Sequence, residues 1–302
     1  MKPVLIVGSI GLDDIRVPEW PERKNLLGGS ASYAALATSL TAPVRLVGVV
    51  GSDFPDEHVK LYLRRNVCLK GLQRVEGKTF RWAGEYEEDM NNRRTLSVEL
   101  NVFADFSPEL PEGYHETEYV LLANIAPTLQ HRVLDQVQNP RFVVADTMDL
   151  WIHTAREDLM QLLPRINMLV LNDSEARALT GEKNLVKAAR WILREGAEAV
   201  VIKKGEHGSL LMSGGEMLVM PAMPLEEVLD PTGAGDTFVG GLIGYLAIHP
   251  NHDFEVLREA VIHGTVLASF NVEAFGPERL ANLTKDELEA RRRFFKRAAG
   301  LI

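Results

Sequence analysis

Hydrophobic positions form short continuous runs that recur along the chain. Each run is rich in β-branched residues and bounded by Gly, Asn or Asp, which is typical of strands buried on both faces of a parallel sheet. The predicted strands are Val4–Val7, Val44–Val50, Tyr119–Ala123, Phe142–Ala145, Met168–Leu171 and Ala199–Ile202.

Stretches with helical spacing of apolar residues lie between these runs and fill the last part of the chain. The alternation predicts a doubly wound α/β fold, in which helices cover both faces of a mostly parallel sheet. No fixed repeat or linker interrupts it, so we expect residues 1–302 to form one domain. The predicted helices are Ser30–Leu40, Asp56–Arg65, Thr128–Val137, Ala155–Leu163, Ser174–Leu179, Leu185–Glu195, Thr237–Ile248, Phe254–Asn271 and Asp286–Ala298.

One region has a different pattern. Residues 79–82 and 94–99 alternate with a period of two around a polar middle, which predicts antiparallel strands with one solvent-facing side. We therefore predict a small antiparallel β lid, with strands within residues 12–24 and 72–100, over the edge of the main sheet. A surface hairpin without a function is the alternative.

Composition narrows the class of protein. The chain has 302 residues, of which 46% are hydrophobic, and a net charge of −9, so it can bury a core and is unsuited to coating nucleic acid. Its single cysteine, Cys68, cannot form an internal disulfide, which favours a reducing compartment. No apolar run has the length of a membrane span or a signal segment, so we expect no membrane partner and a cytoplasmic location.

The most informative turn is Gly233-Ala234-Gly235, which directly precedes a predicted helix. Unpaired backbone N–H groups and the helix dipole at such a helix start attract phosphate. Asp236 follows in the first turn, where the dipole favours its charged form, so we expect it to be ionised near neutral pH and able to accept a hydroxyl proton. The alternative is purely structural: Asp230 or Asp236 caps the helix, and the glycines allow close packing.

Two common nucleotide-binding motifs are absent from the sequence. No GxxxxGK[ST] occurs, which excludes a Walker-type P-loop. No GxGxxG fingerprint follows a predicted strand either, which disfavours a nucleotide-dependent oxidoreductase.

The stretch from Asp230 to Phe238, with Gly240 and Gly241, resembles the D-T-x-G-A-G-D-x-F-x-G signature of the ribokinase (PfkB) family of carbohydrate kinases. Further family-like motifs occur in the family's order, so the resemblance covers essentially the whole chain and implies a ribokinase-like fold. These motifs are Gly8-Ser9 with Asp13, Gly28-Gly29-Ser30-Ala31, Asn172-Asp173-Ser174-Glu175 and Lys203-Lys204-Gly205-Glu206-His207-Gly208.

The resemblance implies transfer of the γ-phosphoryl group of ATP to a hydroxyl of a sugar, a sugar derivative or a nucleoside. Asp236 takes the role of the base. The backbone of Gly233, Ala234 and Gly235 forms the anion hole that would receive the phosphoryl charge.

On the nucleotide side, the resemblance implies that Asn172 and Glu175 organise Mg²⁺ and the phosphates, Glu175 through water. A helix-capping arrangement is the structural alternative for this pair. ATP binding is also implied for Lys203, Gly205 and Gly208. Two more residues, Asp230 and Thr232, resemble positions that help form a monovalent-cation site, for example for K⁺, in some members.

On the acceptor side, the resemblance assigns Asp13, Gly28 and Gly29 to the binding of substrate hydroxyls. Asp14 is adjacent, and the sequence does not decide between the two carboxylates. Tyr33 stands where ribokinase-like members usually carry Asn, and it either stacks on a substrate ring or packs in the core.

A small sugar is the first choice of acceptor. A nucleoside is the main alternative, since Tyr33, Trp82 and Phe103 could supply an aromatic floor for a base. A phosphorylated sugar would need a basic clamp, for which Arg16, Arg81 and Arg93 are the candidates.

Two further expectations concern the whole protein. A catalytically silent ligand-binding member is the alternative from another class, and the intact Asp236 and glycine turn argue against it. Lids in this family often mediate dimers, so the resemblance also implies a homodimer formed through the lid.

Overall fold

A computed structural model describes residues 1–90 and 93–302, and residues 91 and 92 of the predicted lid range lie outside them. In the described part, nine strands form a large sheet in the order β13-β12-β11-β10-β9-β8-β1-β4-β5, and four form a small sheet in the order β3-β2-β6-β7. The strands are β1 (Val4–Val7), β2 (Gly11–Arg16), β3 (Arg23–Gly28), β4 (Val44–Gly51), β5 (Val67–Val75), β6 (Phe80–Tyr86), β7 (Arg93–Glu99), β8 (Tyr119–Leu122), β9 (Phe142–Asp146), β10 (Met168–Asn172), β11 (Ala199–Lys203), β12 (Ser209–Ser213) and β13 (Glu216–Met220).

The large sheet is parallel from β5 to β11 and ends in the antiparallel pairs β11–β12 and β12–β13. Successive residues of β1 face opposite sides, so Val4 and Ile6 join one hydrophobic core while Leu5 and Val7 join the other. The doubly wound fold and all six predicted strands are confirmed. Continuous apolar runs occur here because both faces of each central strand are buried.

Helices cover both faces of this sheet. Residues of α1, α2, α8, α9, α10 and α11 line the first core, and residues of α3 to α7 line the second. The helices are α1 (Ser30–Ser39), α2 (Asp56–Arg64), α3 (Pro127–Leu134), α4 (Asp149–Thr154), α5 (Arg156–Leu162), α6 (Asp173–Thr180), α7 (Leu185–Arg194), α8 (Ala234–Ala247), α9 (Phe254–Asn271), α10 (Glu278–Asn282) and α11 (Lys285–Ala298). Within the described residues, none of them has the length and apolar character that crossing a membrane requires.

The small sheet lies where the lid was predicted, with different limits. Its strands occupy residues 11–28 and 80–99, whereas residues 72–75 belong to β5, where Val75 pairs with Gly51. The predicted antiparallel pair is present as β6 and β7, and the central pair of the small sheet, β2 with β6, is parallel. The chain leaves the large sheet only at Gly77, whose φ of 126° allows the turn.

The elements that the sequence pattern missed are the edge strand β5, the last two strands of the large sheet, β12 and β13, and the short helices α4 and α10. β5 and β13 lie at the two edges of the large sheet, so their residues mix exposed and buried positions. The apolar runs of β12 and β13, at residues 210–212 and 217–220, are short, and short runs do not by themselves identify a strand. α4 and α10 have six and five residues, too few to show a helical period.

Candidate active site

The carboxyl ends of three neighbouring parallel strands bring polar side chains together at one edge of the sheet. Asn172 ends β10 directly beside Lys203, its register partner at the end of β11. The Nζ of Lys203 lies 3.4 Å from Oδ1 of Asp146, which ends β9. Asp146 was not predicted from sequence, although a carboxylate directly after the buried run of β9 is the signal that marks it.

The glycine turn faces the same edge. Gly233 is the N-cap of α8 with φ of 73°, and the N–H of Ala234 donates to the carbonyl of Pro231 at 3.1 Å. Among the described residues, the structure provides no hydrogen-bond acceptor for the N–H groups of Gly233 and Gly235. The turn itself uses the N–H of Ala234, so the amides of Gly233 and Gly235 are the ones that remain for the predicted anion hole, which stays a prediction.

Lys203 supplies a positive charge beside these amides. A Cβ built on Gly235 would lie 3.0 Å from the Nζ of Lys203, so the ammonium lies close to the backbone of the turn and a larger residue would displace it slightly. Burial lowers the pKa of Lys203, but the carboxylates of Asp146, Glu175 and Asp236 outweigh burial and raise the pKa overall. The lysine therefore stays charged at neutral pH.

Asp236 is buried in the first turn of α8. Burial, and then the charge of Asp146, raise its pKa to about 7, while Lys203 and Arg93 act in the opposite direction. Loss of hydration therefore opposes the effect of the helix dipole on the charge of Asp236, and its ionisation near neutral pH stays a prediction.

Asn172 and Glu175 form a capping box at the start of α6. Oδ1 of Asn172 accepts from the N–H of Glu175 at 2.8 Å, and Oε2 of Glu175 accepts from the N–H of Asn172 at 2.6 Å. Glu175 is buried, and burial raises its pKa to about 7, with Lys203 lowering it and Asp146 raising it further. The structural alternative is thus realised, and the capped glutamate also lies in the field of Lys203 and Asp146.

The small sheet contributes Asp13, whose buried carboxyl packs directly on Gly28. A Cβ at Gly28 would lie 2.1 Å from Cγ of Asp13, and Gly29, the N-cap of α1, has φ of 89°. Burial, followed by the charges of Asp230 and Asp236, raises the pKa of Asp13 well above its usual range. These carboxyls are therefore close neighbours around one space.

Asp14 is engaged elsewhere. Its Oδ1 accepts a hydrogen bond from the N–H of Asn25 at 2.8 Å, on the β3 side of the small sheet. The choice between the two aspartates is made by β2 itself, because successive side chains of a strand point to opposite faces. Asp13 is the residue that faces the glycine turn.

Tyr33 packs beneath the glycine turn. A Cβ at Gly233 would lie 2.4 Å from Cγ of the Tyr33 ring, and the ring is fully buried in the first core. Its hydroxyl has no hydrogen-bond partner among the described residues. Of the two alternatives, the structure shows the packing role, which supports the backbone of the turn.

Asp230 and Thr232 hold the turn from the other side. The carboxylate of Asp230 accepts from the N–H groups of Thr232 and Gly276 at 2.9 and 2.8 Å. The side chain of Asn271 donates to the carbonyl of Thr232 at 2.7 Å. These bonds give Asp230 a structural task, and a monovalent-cation role for the pair stays a prediction.

The loop after β11 needs its glycines for backbone reasons. Gly205 has φ of 54°, and Gly208 has φ of 82° with the carbonyl oxygen of Met220 only 1.9 Å from where a Cβ would be. The N–H of Lys204 closes the turn on the carbonyl of Gly208 at 2.7 Å. Nucleotide binding by Gly205 and Gly208 stays a prediction.

The remaining candidates divide into two groups. Phe103 packs between Phe80 and Phe106, with ring centroids 5.5 and 5.8 Å away, so it belongs to the core. Arg16 pairs with Glu22, and Arg81 bonds to Asn25 and Asp53. Only Trp82 and Arg93 are left as aromatic and basic candidates on the small sheet beside the site.

The fold and the site together define a class of protein. A parallel sheet that gathers carboxylates and one lysine at its edge, next to a glycine turn at a helix start and under a small sheet, is the architecture of a small-molecule kinase of the ribokinase fold. The chain belongs to the pfkB family of carbohydrate kinases, since residues 2–283 match the pattern described as "pfkB family carbohydrate kinase". It is an ATP-dependent kinase whose acceptor is an alcohol group.

Individual relatives agree with this assignment. The cytidine kinase of Thermococcus kodakarensis is 31% identical over 252 residues, which cover 81% of this chain and 89% of the relative. The solved nucleoside kinase of Methanocaldococcus jannaschii has a TM-score of 0.78 at 22% identity and covers 97% of this chain and 99% of its own. A third relative is a solved E. coli protein provisionally named ribokinase II, in complex with ATP and Mg²⁺. It has a TM-score of 0.80 at 18% identity, and the match covers 97% of this chain and 100% of that protein's chain. Both structures share the fold of this chain.

Proposed function

We propose that the protein transfers the γ-phosphoryl group of ATP to a hydroxyl of a ribose-like acceptor, with Asp236 as the base. The observation that carries this proposal is the buried carboxyl of Asp236 with a pKa of about 7, beside the free amides of the glycine turn and close to Asp13. A base with such a pKa both exists in its charged form at neutral pH and accepts a proton readily.

The surrounding groups divide the work. The amides of Gly233 and Gly235 and the ammonium of Lys203 would bind the phosphoryl oxygens, because phosphoryl transfer depends on positioning and on neutralising the charge on those oxygens. Asp13 would accept hydrogen bonds from two acceptor hydroxyls, which leaves a third hydroxyl for Asp236. The small sheet would exclude water from the reacting groups.

The residues at the sheet edge also fit a magnesium ion. In the described residues, no three acidic, histidine or cysteine side chains form a ready-made metal cluster. Asp146 and Glu175 nevertheless provide oxygen ligands beside Lys203, and Mg²⁺ is commonly held by one or two carboxylates with water and substrate phosphates. When bound there, the ion would neutralise phosphate charge.

Two classes of acceptor are proposed in order. A nucleoside comes first, because relatives named cytidine kinase and nucleoside kinase align over 81% and 91% of this chain. A free sugar comes second. It remains a candidate because Tyr33 and Phe103 are used in packing, which leaves Trp82 as the aromatic contact for a base. The order of the two is thus reversed from the one expected from sequence.

The test is a screen for ADP release with ATP and Mg²⁺ across nucleosides, pentoses, hexoses, their phosphates and inositols. We expect at least one nucleoside or sugar to raise ADP release, with a matching phosphorylated product by mass spectrometry. Binding of an acceptor by calorimetry without phosphorylation of any compound would replace this proposal with a silent ligand-binding protein.

The pKa of Asp236 leads to a pH prediction. A base works only when deprotonated, so kcat should rise with pH through about 7 and level off above it. Glu175 has the same pKa, so both residues must be separated by mutation. We expect Glu175→Gln to retain the transition near pH 7 and Asp236→Asn to lose it in its residual activity. A transition that disappears in Glu175→Gln would assign it to the glutamate instead.

We also propose that the protein forms a homodimer through the small sheet. β7 is an edge strand that is exposed along its whole length, and it carries the apolar side chains Leu96 and Val98. Exposed edges with apolar residues favour pairing with another chain. We expect light scattering to give twice the mass of the chain and the double variant L96K/V98K to give a monomer. A wild-type monomer at micromolar concentration would refute the proposal.

A further inference from the structure

The small sheet presents one face to the active site. Trp82, Gly84 and Tyr86 alternate along β6 and therefore share a face. Tyr86 is paired with Arg93 on the antiparallel strand β7, and side chains of directly opposed residues lie on the same face. Arg93 thus stands on the same face of the sheet as Tyr86.

Tyr86 shows that this face meets the glycine turn. Its hydroxyl lies 3.0 Å from Oγ1 of Thr232, the residue directly before Gly233, in a buried contact between segments far apart in sequence. The carbonyl of Thr232 and the carboxylate of Asp230 fix the same residue to the rest of the fold. The end of β6, and with it the start of β7, is therefore attached to the edge of the phosphate-binding turn.

The side chain of Arg93 is oriented by Trp82. Its guanidinium carbon lies 5.4 Å from the centre of the indole ring, and the ring itself covers Gly84, where a Cβ would be 2.0 Å away. Trp82 is held in turn by its Nε1, which donates to Oγ1 of Thr95 at 3.3 Å. A cation over an indole is favourable even when exposed, so this arrangement holds the guanidinium in place.

The charge of Arg93 acts on the carboxyls of the site. It lowers the pKa of both Asp13 and Asp236, against the larger effect of burial, in agreement with its place on the face of the small sheet that meets the glycine turn. Neighbouring arginines are neutralised, as Arg94 on the opposite face pairs with Glu85 at 2.6 Å. The side chain of Arg93 is exposed and also donates a hydrogen bond to the hydroxyl of Tyr86, which ties it to the contact between β6 and the glycine turn.

The site is rich in acidic groups, so a further positive charge would be favourable there. The carboxyls of Asp13, Asp146, Glu175, Asp230 and Asp236 surround it, whereas Lys203 is the cation on the nucleotide side, already paired with Asp146. A phosphoryl group in transfer brings additional negative charge between the base and the acceptor. A cation on the acceptor side is the complement that Lys203 does not provide.

We propose that Arg93 is a catalytic residue whose guanidinium binds the oxygens of the phosphoryl group during its transfer. In that step the acceptor oxygen bonds to the γ-phosphorus, the bond from that phosphorus to the bridging oxygen of ADP breaks, and the hydroxyl proton goes to Asp236. Arg93 donates hydrogen bonds and gives up no proton. The inference rests on the proposed kinase function.

The test compares Arg93→Ala with Arg94→Ala, its neighbour on the opposite face, using the full chain, ATP, Mg²⁺ and the acceptor found by the screen. We expect Arg93→Ala to lower kcat by about 100-fold or more while KM for ATP and for the acceptor changes by less than about threefold. Arg94→Ala should stay within about twofold of wild type. Added guanidinium ion should restore part of the lost kcat of Arg93→Ala, and Arg93→Lys should retain an intermediate kcat.

A second experiment tests whether Arg93 binds the phosphoryl group in transfer or a phosphate that the acceptor already carries. Comparing an acceptor with its monophosphate distinguishes the transferred group from a phosphate already on the substrate. Loss confined to the phosphorylated acceptor, and expressed in KM, would overturn the catalytic role in favour of a substrate clamp. An active wild type with unchanged kcat in Arg93→Ala would overturn this inference alone, whereas a wild type that phosphorylates nothing would overturn the proposed function with it.

Discussion

Replacing Asp236 with Asn should lower kcat by about three orders of magnitude while leaving the KM for the acceptor within a few fold. The amide has nearly the same shape as the carboxyl but cannot accept the hydroxyl proton, and a positioned base contributes about 10²–10⁴-fold. The fold should tolerate the change, because burial of the carboxyl already disfavours its charged form. Steady-state kinetics with the acceptor from the screen, and thermal unfolding, measure both effects.

The matched control for this variant is Asp56→Asn. Asp56 also lies in the first turn of a helix, but it is exposed in α2 and forms an ion pair with Arg74 on the surface. Loss of a surface pair of this kind changes stability by about 0–1 kcal/mol and should leave kcat unaltered. Near-normal turnover of Asp236→Asn with an intact fold would remove Asp236 from the role of base.

Gly233→Ala should damage both the fold and the reaction. At φ of 73° an L-residue is strained, and the added Cβ would lie 2.4 Å from the ring of Tyr33, so ring and turn cannot both keep their places. A displaced turn moves the amides of Gly233 and Gly235. Because loss of one such donor costs about 10²–10³-fold in kcat in other enzymes, we expect a loss of at least about 100-fold here.

Gly181→Ala separates the effect of backbone strain from the effect of contact with Tyr33. Gly181 has φ of 73° and ψ of 0°, nearly the dihedral angles of Gly233, but a Cβ there meets nothing within 4 Å. It should therefore lower the free energy of unfolding by about 1–2 kcal/mol, the intrinsic cost of the left-handed conformation, with normal kcat. Equal stability and activity of the two variants would show that contact with Tyr33 and position of the amides do not matter.

The two strongest predictions concern Gly233 and Asp236, which belong to the same helix start, and the reason is physical. A helix start that is open to phosphate exposes its amides only if no side chain fills the space, and it accommodates a buried carboxyl only if nearby cations offset the loss of hydration. Tyr33 packs beneath Gly233 and supports the turn from below, and Lys203 beside Gly235 provides a cation. Both residues come from parts of the chain that are far from the turn in sequence. The charge of Arg93 on the small sheet also lowers the pKa of Asp236.

The sequence alone determined the fold class and the positions of the central strands. Runs such as Val4–Val7 and Phe142–Ala145 are continuous because both faces of a central strand are buried. Every residue of such a run is therefore apolar, and the run is visible in the sequence. The glycine turn with Asp236 was also predictable, since a phosphate-binding helix start and its neighbouring carboxyl occupy adjacent positions in the chain. Edge strands such as β5 and β13 were missed because their faces are only partly covered.

Only the tertiary structure decided which of these residues act on one another. The pKa of Asp236 depends on burial and on Asp146, Lys203 and Arg93, none of which is near it in sequence. The burial of Tyr33 under Gly233 and the choice of Asp13 over Asp14 likewise depend on which segments pack together. The local sequence pattern indicates whether a residue is buried. The protonation state of a side chain and its contacts depend on partners from distant segments, and only the folded structure shows which partners these are.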